Sequence, residues 1–130
     1  MSEFAQALRV STSALHMQSG RLRLISENVA NVDTPGYQRK TAGVEFHDTG
    51  FDAVAAVALG DVSFDPSEPE QVYDPSHPLA DDSGHYLASN VDLVIEIADA
   101  QEAQRSYEAN LKVFDQTRQM SSSLLDLLRR

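Results

Sequence analysis

Three histidines, His47, His77 and His85, stand among the carboxylates Asp48, Asp74, Asp81 and Asp82, and imidazole beside carboxylate is a donor set for zinc or iron. Such a site needs its ligands at a fixed spacing on a rigid element, as H-E-x-x-H provides on a helix. Here the spacing is irregular and proline interrupts it, so the histidines read as surface or turn residues. Asp74-Pro75-Ser76-His77-Pro78 is turn chemistry without a ligand, because aspartate and proline favour turns directly. Serines are plentiful, but none sits in a G-x-S-x-G elbow, and no glycine-rich loop could cradle a phosphate. The pair Asp81-Asp82 lies in a loop with no apolar pocket to raise a carboxylate pKa. The chain has no cysteine, which removes thiol and disulfide chemistry. No residue receives a catalytic role, and neither a metal, a cofactor nor a small-molecule substrate is expected.

The elements that carry these residues fall into three parts: 1–40, a helix and turn; 41–90, an acidic β-rich excursion; and 91–130, a second helix. The net charge of −10 over 130 residues is concentrated in the middle part. Residues 41–90 hold ten Asp/Glu and no Lys/Arg, against five Lys/Arg and three Asp/Glu in 1–40 and five and seven in 91–130. An acidic block of this kind argues against nucleic-acid binding, which needs basic contacts to phosphate. It reads as a solvated surface or as a patch that meets a basic neighbour. No run reaches the roughly 18 apolar residues that span a membrane, and the N-terminal residues lack the basic leader and apolar core of a signal peptide.

Phe4, Leu8, Ser11, Leu15, Gln18, Leu22, Ile25, Val29 and Val32 follow alternating steps of four and three, the a/d spacing of a coiled-coil seam with two polar exceptions. Ser2 is the expected N-cap. Gly20 weakens this helix and marks a close contact or a bend. The second helix repeats the pattern in Leu93, Ile97, Ala100, Gln104, Tyr107, Leu111, Phe114, Arg118, Ser121, Leu125 and Leu128, with Asn90 as expected N-cap. Nothing interrupts residues 91–130, so this helix can extend about 55 Å. A small middle segment cannot hide two such stripes; they need each other and neighbours. Between them, Val54, Val57 and Leu59 against Val62 and Phe64 predict a hairpin turning at Gly60-Asp61, and Gln71-Val72-Tyr73 predicts a further strand. The expected fold is mainly α: long N- and C-terminal helices packed as a coiled-coil hairpin, with a small β-rich middle segment.

Asn28-Val29-Ala30-Asn31-Val32-Asp33-Thr34-Pro35-Gly36-Tyr37 closes the first helix. Pro35 pushes Thr34 out of helical geometry, and Pro35-Gly36 suits the centre of a type II turn with glycine at positive φ. Asn31 suits a helix end, whereas Asn28 precedes it and needs an amide or carbonyl partner. In the second helix, Glu102-Ala103-Gln104-Arg105-Ser106-Tyr107-Glu108-Ala109-Asn110 reads on composition as helix-surface polarity around one seam tyrosine.

The string N-x-A-N-x-x-T-P-G-Y resembles the N-terminal signature of the axial proteins of the bacterial flagellum, the rod and hook family, and E-A-Q-R-x-Y-E-A-N resembles the C-terminal helix of that family. Tyr73-Asp74-Pro75-Ser76-His77-Pro78-Leu79-Ala80-Asp81 with Gly84 is similar to the centre of one small proximal-rod member, and the short length agrees, since distal rod and hook proteins carry larger insertions. The resemblance implies a structural subunit without enzymatic activity, exported uncleaved through the flagellar type III apparatus to the periplasmic rod of the basal body. It implies a driveshaft role, torque passing from motor to hook. It implies as partners copies of the same chain, the other rod proteins (FlgB, FlgF, FlgG and FliE) and the export apparatus. It also reads Asn28, Asn31, Thr34, Pro35, Gly36, Tyr37, Gln104, Arg105, Tyr107, Glu108, Asn110, Leu111 and Phe114 as subunit-interface residues. A FlgB-like small rod protein and a non-flagellar coiled-coil adaptor are the alternatives.

Overall fold

A computed structural model describes residues 2–48 and 56–130. Two long helices, α1 (Glu3–Ala30) and α2 (Leu93–Leu128), flank six short strands. The helices run antiparallel, since Arg21 lies 3.6 Å from Glu102 and Asn28 lies 3.4 Å from Glu96. Ser2 caps α1 as expected, its hydroxyl accepting from the Ala5 amide at 3.2 Å. Asn31 ends the helix: its amide bonds the Glu27 and Asn28 carbonyls, and its side-chain amide donates to the Glu27 carbonyl at 2.8 Å.

The cap of α2 differs from expectation. Asp92, not Asn90, accepts from the Val94 amide at 3.0 Å. Asn90 is held elsewhere by tertiary bonds described below, so its side chain cannot serve the helix end.

The middle is a set of antiparallel pairs. β1 (Lys40–Thr41) pairs with β4 (Ser63–Phe64), β2 (Val44–His47) with β3 (Ala56–Leu59), and β5 (Gln71–Tyr73) with β6 (His85–Leu87). The expected hairpin at Gly60-Asp61 does not form. The β3–β4 segment instead lies back along β1–β2, with Gly60 donating to the Gly43 carbonyl at 2.8 Å. Two residues separate β1 from β2 and three separate β3 from β4, so the register slips by one there, as at a β-bulge. Val54, part of the expected hairpin, lies outside the described residues. The β5 strand forms where expected; its partner β6 has no counterpart among the expected strands.

Among the described residues the apolar core is thin: Met17, Leu24, Ile25 and Ala103 are buried. On α1 the expected Ser11, Gln18 and Ile25 are buried, but Met17, Leu24 and Asn28 are buried in place of the second expected column, of which Val29 is exposed. On α2 half of the expected seam is replaced. Ala100, Tyr107, Phe114 and Ser121 are at least half-buried, but the second column is Glu96, Ala103, Asn110 and Thr117 instead of Ile97, Gln104, Leu111 and Arg118. The cause is local. Glu96 is drawn inward by an ion pair, and the small Ala103, fully buried, lets the helices approach. Ile97 and Leu111 are therefore exposed, as are Leu93 at the start of α2 and Leu125 and Leu128 beyond the first turn of α1. Gly20 is a close contact: a Cβ there would lie 3.2 Å from the Leu59 side chain of β3.

Candidate assembly interface

The first signature folds into a polar hub at one end of the helix pair. Thr34 to Tyr37 closes by a bond from the Tyr37 amide to the Thr34 carbonyl at 3.2 Å, with Gly36 at φ 74° as a type II turn requires. Thr34 donates its hydroxyl proton to Asn31 Oδ1 at 3.1 Å, and Gly36 donates its amide to the Leu87 carbonyl at 3.1 Å, fastening the turn to β6. The turn thus aims Tyr37 back at α1, where its hydroxyl donates to Asn28 Oδ1 at 2.9 Å.

Asn28 is 1% exposed and uses both ends of its amide. Its Oδ1 also accepts from the Lys40 amide at 2.9 Å, while Nδ2 donates to the Lys40 carbonyl at 2.9 Å. A side-chain amide here imitates a neighbouring strand and pins the start of β1 to the helix. This explains why asparagine stands before the helix end, a position that asks for such a partner.

The charged centre of the hub went unread in the sequence. Glu96 is fully buried, and its carboxylate accepts from Arg39 Nε. The same guanidinium reaches Asp99 at 3.1 Å and Asp65 at 3.3 Å, so one cation joins α2 to the segment after β4. Burial pulls the Arg39 pKa down, but hydrogen bonding and the charge of Glu96, then Asp65 and Asp99, outweigh it and hold the group above its ordinary value. Burial is also the main reason the Tyr37 hydroxyl is pushed up. Asn90 Oδ1 accepts from the Arg39 amide at 2.5 Å, and its Nδ2 donates to the carbonyls of Asp65 and Ser67, each at 3.0 Å. The signal for Glu96 was available: it is the only charge in Leu93-Val94-Ile95-Glu96-Ile97.

The acidic middle is partly turn architecture. Asp65, Asp74 and Asp81 each accept from the amide and hydroxyl of the serine two residues on, Ser67, Ser76 and Ser83. The serine hydroxyl is the largest reason each carboxyl is held below the usual range. His77 and His85 serve these turns, while His47 stands exposed at the end of β2. His77 stacks on Tyr86 with ring centres 3.9 Å apart and accepts from the Leu79 amide; His85 leans on Tyr73 and contacts Ser83. Among the described residues no three His, Asp or Glu side chains are grouped to hold a metal ion.

The second signature does not join the hub. Gln104, Arg105 and Glu108 are exposed, Tyr107 and Asn110 are half-buried, and Asn110 donates to the Ser106 carbonyl of its own helix at 2.9 Å. Gln104 stands about 12 Å beyond Glu96 along α2. Phe114 is half-buried and Leu111 is 41% exposed. In the single chain, then, Asn28 and Tyr37 are internal fasteners, while Gln104, Arg105, Glu108 and Leu111 face outward. No helix among the described residues is long and apolar enough to cross a membrane.

Comparison with known proteins agrees with both signatures. Residues 8–38 match the family model described as flagella basal body rod protein, and residues 82–127 match that of the flagellar basal body rod FlgEFG protein C-terminal. The flagellar basal-body rod protein FlgC of Agrobacterium fabrum is 42% identical, over 99% of this chain and 98% of the relative. FlgC of Salmonella typhimurium is 35% identical over 91% and 92%, and FlgC of Bacillus subtilis 29% over 93% and 95%.

Proposed function

Because this chain belongs to the FlgC family of flagellar basal-body rod proteins, a structural family and not one of enzymes, we propose that it builds the proximal rod by lengthwise packing of its helices on those of neighbouring subunits. The observation that carries this reading is the exposed surface. The chain exposes 9267 Å², whereas a compact monomer of 14.3 kDa exposes about 6,800 Å². The surplus is about three times the ~800 Å² that one partner contributes to a standard interface. On α2 the large apolar side chains Leu93, Ile97, Leu111 and Leu125, at seam spacing, are exposed. Ile97, Leu111 and Leu125 belong to the column that α1 leaves uncovered, so a neighbouring helix completes a coiled-coil-like layer that the single chain only begins. A stiff layer of this kind suits a driveshaft that carries torque from motor to hook.

In this reading the outward part of the second signature (Gln104, Arg105, Glu108) contacts neighbours, with Tyr107, Asn110, Leu111 and Phe114 at its edge. Asn28, Asn31 and Thr34 to Tyr37 set the direction in which the middle leaves the helices and so act on the interface through geometry. The partners are copies of the chain and the rod proteins FlgB, FlgF, FlgG and FliE. The route to the periplasmic rod is type III export without cleavage. The test is Ile97→Ser with Leu111→Ser. Both sites are exposed in the single chain, so protein level and export should be retained while rods fail to assemble. Normal rods and motility from this variant would refute the reading.

A further inference from the structure

Two surfaces of the chain are complementary but cannot meet within one copy. The first is a groove of about 480 Å³ between α1, at Ser13, His16, Gly20 and Arg23, and β3, at Val57 and Leu59. Directly paired residues of an antiparallel ladder share a face. Val44 is paired with Leu59 and Phe46 with Val57, so both project on the α1 side of the hairpin. The β3 residues are half-buried against α1, with the Val57 amide held by Ser13 Oγ at 3.2 Å. Their β2 partners reach past the helix, leaving Phe46 74% and Val44 47% exposed. The result is an apolar shelf beside a groove. Glu45, paired with Ala58, projects on the opposite face; Asp61 follows the end of β3, and residues 41–64 contain no Lys or Arg.

The second surface is the end of α2. Residues from Ser122 onward run past the first turn of α1 and are exposed, including Leu124, Leu125, Leu127 and Leu128, and the arginines 129 and 130 follow. This is a leucine-rich turn with a basic tip, matched in polarity and charge to an apolar shelf on an acidic hairpin.

Resting on the rod reading, we propose that the last turns of α2 of one copy seat their leucines in the α1–hairpin groove of a second copy, with Arg129 and Arg130 against the acidic hairpin. Asp126 then faces the wall that carries Arg23. From the pairs Arg21–Glu102 and Asn28–Glu96, the groove at Met17 lies opposite a point near residue 107. Leu125 is about 18 residues further along, or about 27 Å. One copy cannot fill its own groove; a second copy displaced by that distance along the helix axis can. The two patches differ, so the contact is heterologous and repeats from copy to copy without closing on itself.

The absence of cysteine makes the contact directly testable. Phe46→Cys and Leu127→Cys alter exposed side chains, so neither should disturb the fold. The two variants are co-expressed in cells lacking the wild-type chain, basal bodies are purified, and a short bismaleimide is applied. A covalent dimer with one copy of each variant should form at least tenfold more than with either variant alone. Arg129→Glu with Arg130→Glu should lower that yield about tenfold, and Asp61→Arg should restore much of it. Basal bodies that contain both variants but yield no mixed dimer overturn the docking and leave the rod reading intact. A cross-link from the Leu127→Cys variant to a different rod protein also overturns it, since the occupant is then not a second copy. A chain missing from purified basal bodies overturns the rod reading, and the docking with it.

Discussion

Arg39→Ala should be among the most damaging single changes to the fold. Arg39 supplies the counter-charge for Glu96, which is 0% exposed, and it also reaches Asp99 and Asp65 at 3.1 and 3.3 Å. Without it, Glu96 keeps one polar contact, Asn28 Nδ2 at 3.4 Å. Removing one partner from a buried pair costs about 3–5 kcal/mol, most of it the burden of the charge left behind. Glu96→Gln removes that charge and retains an acceptor for Asn28. The double variant should then cost only about 1–2 kcal/mol, the scale of a lost hydrogen bond and some packing. The coupling between the two sites should thus be about 2 kcal/mol or more. Arg39→Lys should rescue little, because one ammonium cannot span three carboxylates as a planar fork does. The assay is urea unfolding of the purified chain, followed by circular dichroism at 222 nm. With a slope near 2 kcal/mol per molar urea, Arg39→Ala should lower the midpoint by about 2 M. A cost under about 1 kcal/mol, or no recovery in the double variant, would refute the idea that the hub holds the helices and the excursion together.

Three further outcomes are expected. Gly36 stands at φ 74° with open space where a Cβ would go, so Gly36→Val should cost about 1–2 kcal/mol from backbone strain alone, while Gly36→Asn is nearly neutral. Comparing secretion with rod assembly for both variants checks this: normal rods from Gly36→Val would make the turn a mere connector. Gln18 Oε1 is buried with no hydrogen-bond partner, so Gln18→Leu should stabilise the isolated chain by about 1–2 kcal/mol; a lowered melting temperature would count against the assigned orientation of that side chain. The Asp74 and Asp81 carboxyls are held below the ordinary 3.8, so their contribution is full above that value and is lost as the pH falls below it. Protection of the Ser76 and Ser83 amides, taken relative to their intrinsic exchange rates, should fall only in that acidic range, and Asp81→Asn should remove the dependence at Ser83.

Much of the local structure was legible because its causes are local. The cap at Ser2, the end of α1 at Asn31 and the turn at Thr34 to Tyr37 depend on residues within one turn of each other, and all three formed as read. On α1 one column of the expected seam, Ser11, Gln18 and Ile25, was legible from helical period, but Met17, Leu24 and Asn28 are buried in place of the other. The two signature strings also belong to the sequence itself, and they marked the family before any contact was visible. Partnership across the chain was decided by the tertiary structure. The β3 strand pairs with β2, and not with its nearest neighbour in sequence, because that arrangement packs Val57 and Leu59 against α1. Asn90 could have capped α2 on propensity, but the Arg39 amide and two carbonyls engage it more fully, and Asp92 takes the cap. The α2 face was likewise set at a distance. A single guanidinium on the segment after the turn draws Glu96 inward, and the small Ala103 permits close approach, so Ile97 and Leu111 are turned to solvent. Periodicity fixes which residues share a stripe; which stripe is buried depends on the charges and volumes of residues that only the folded chain brings together.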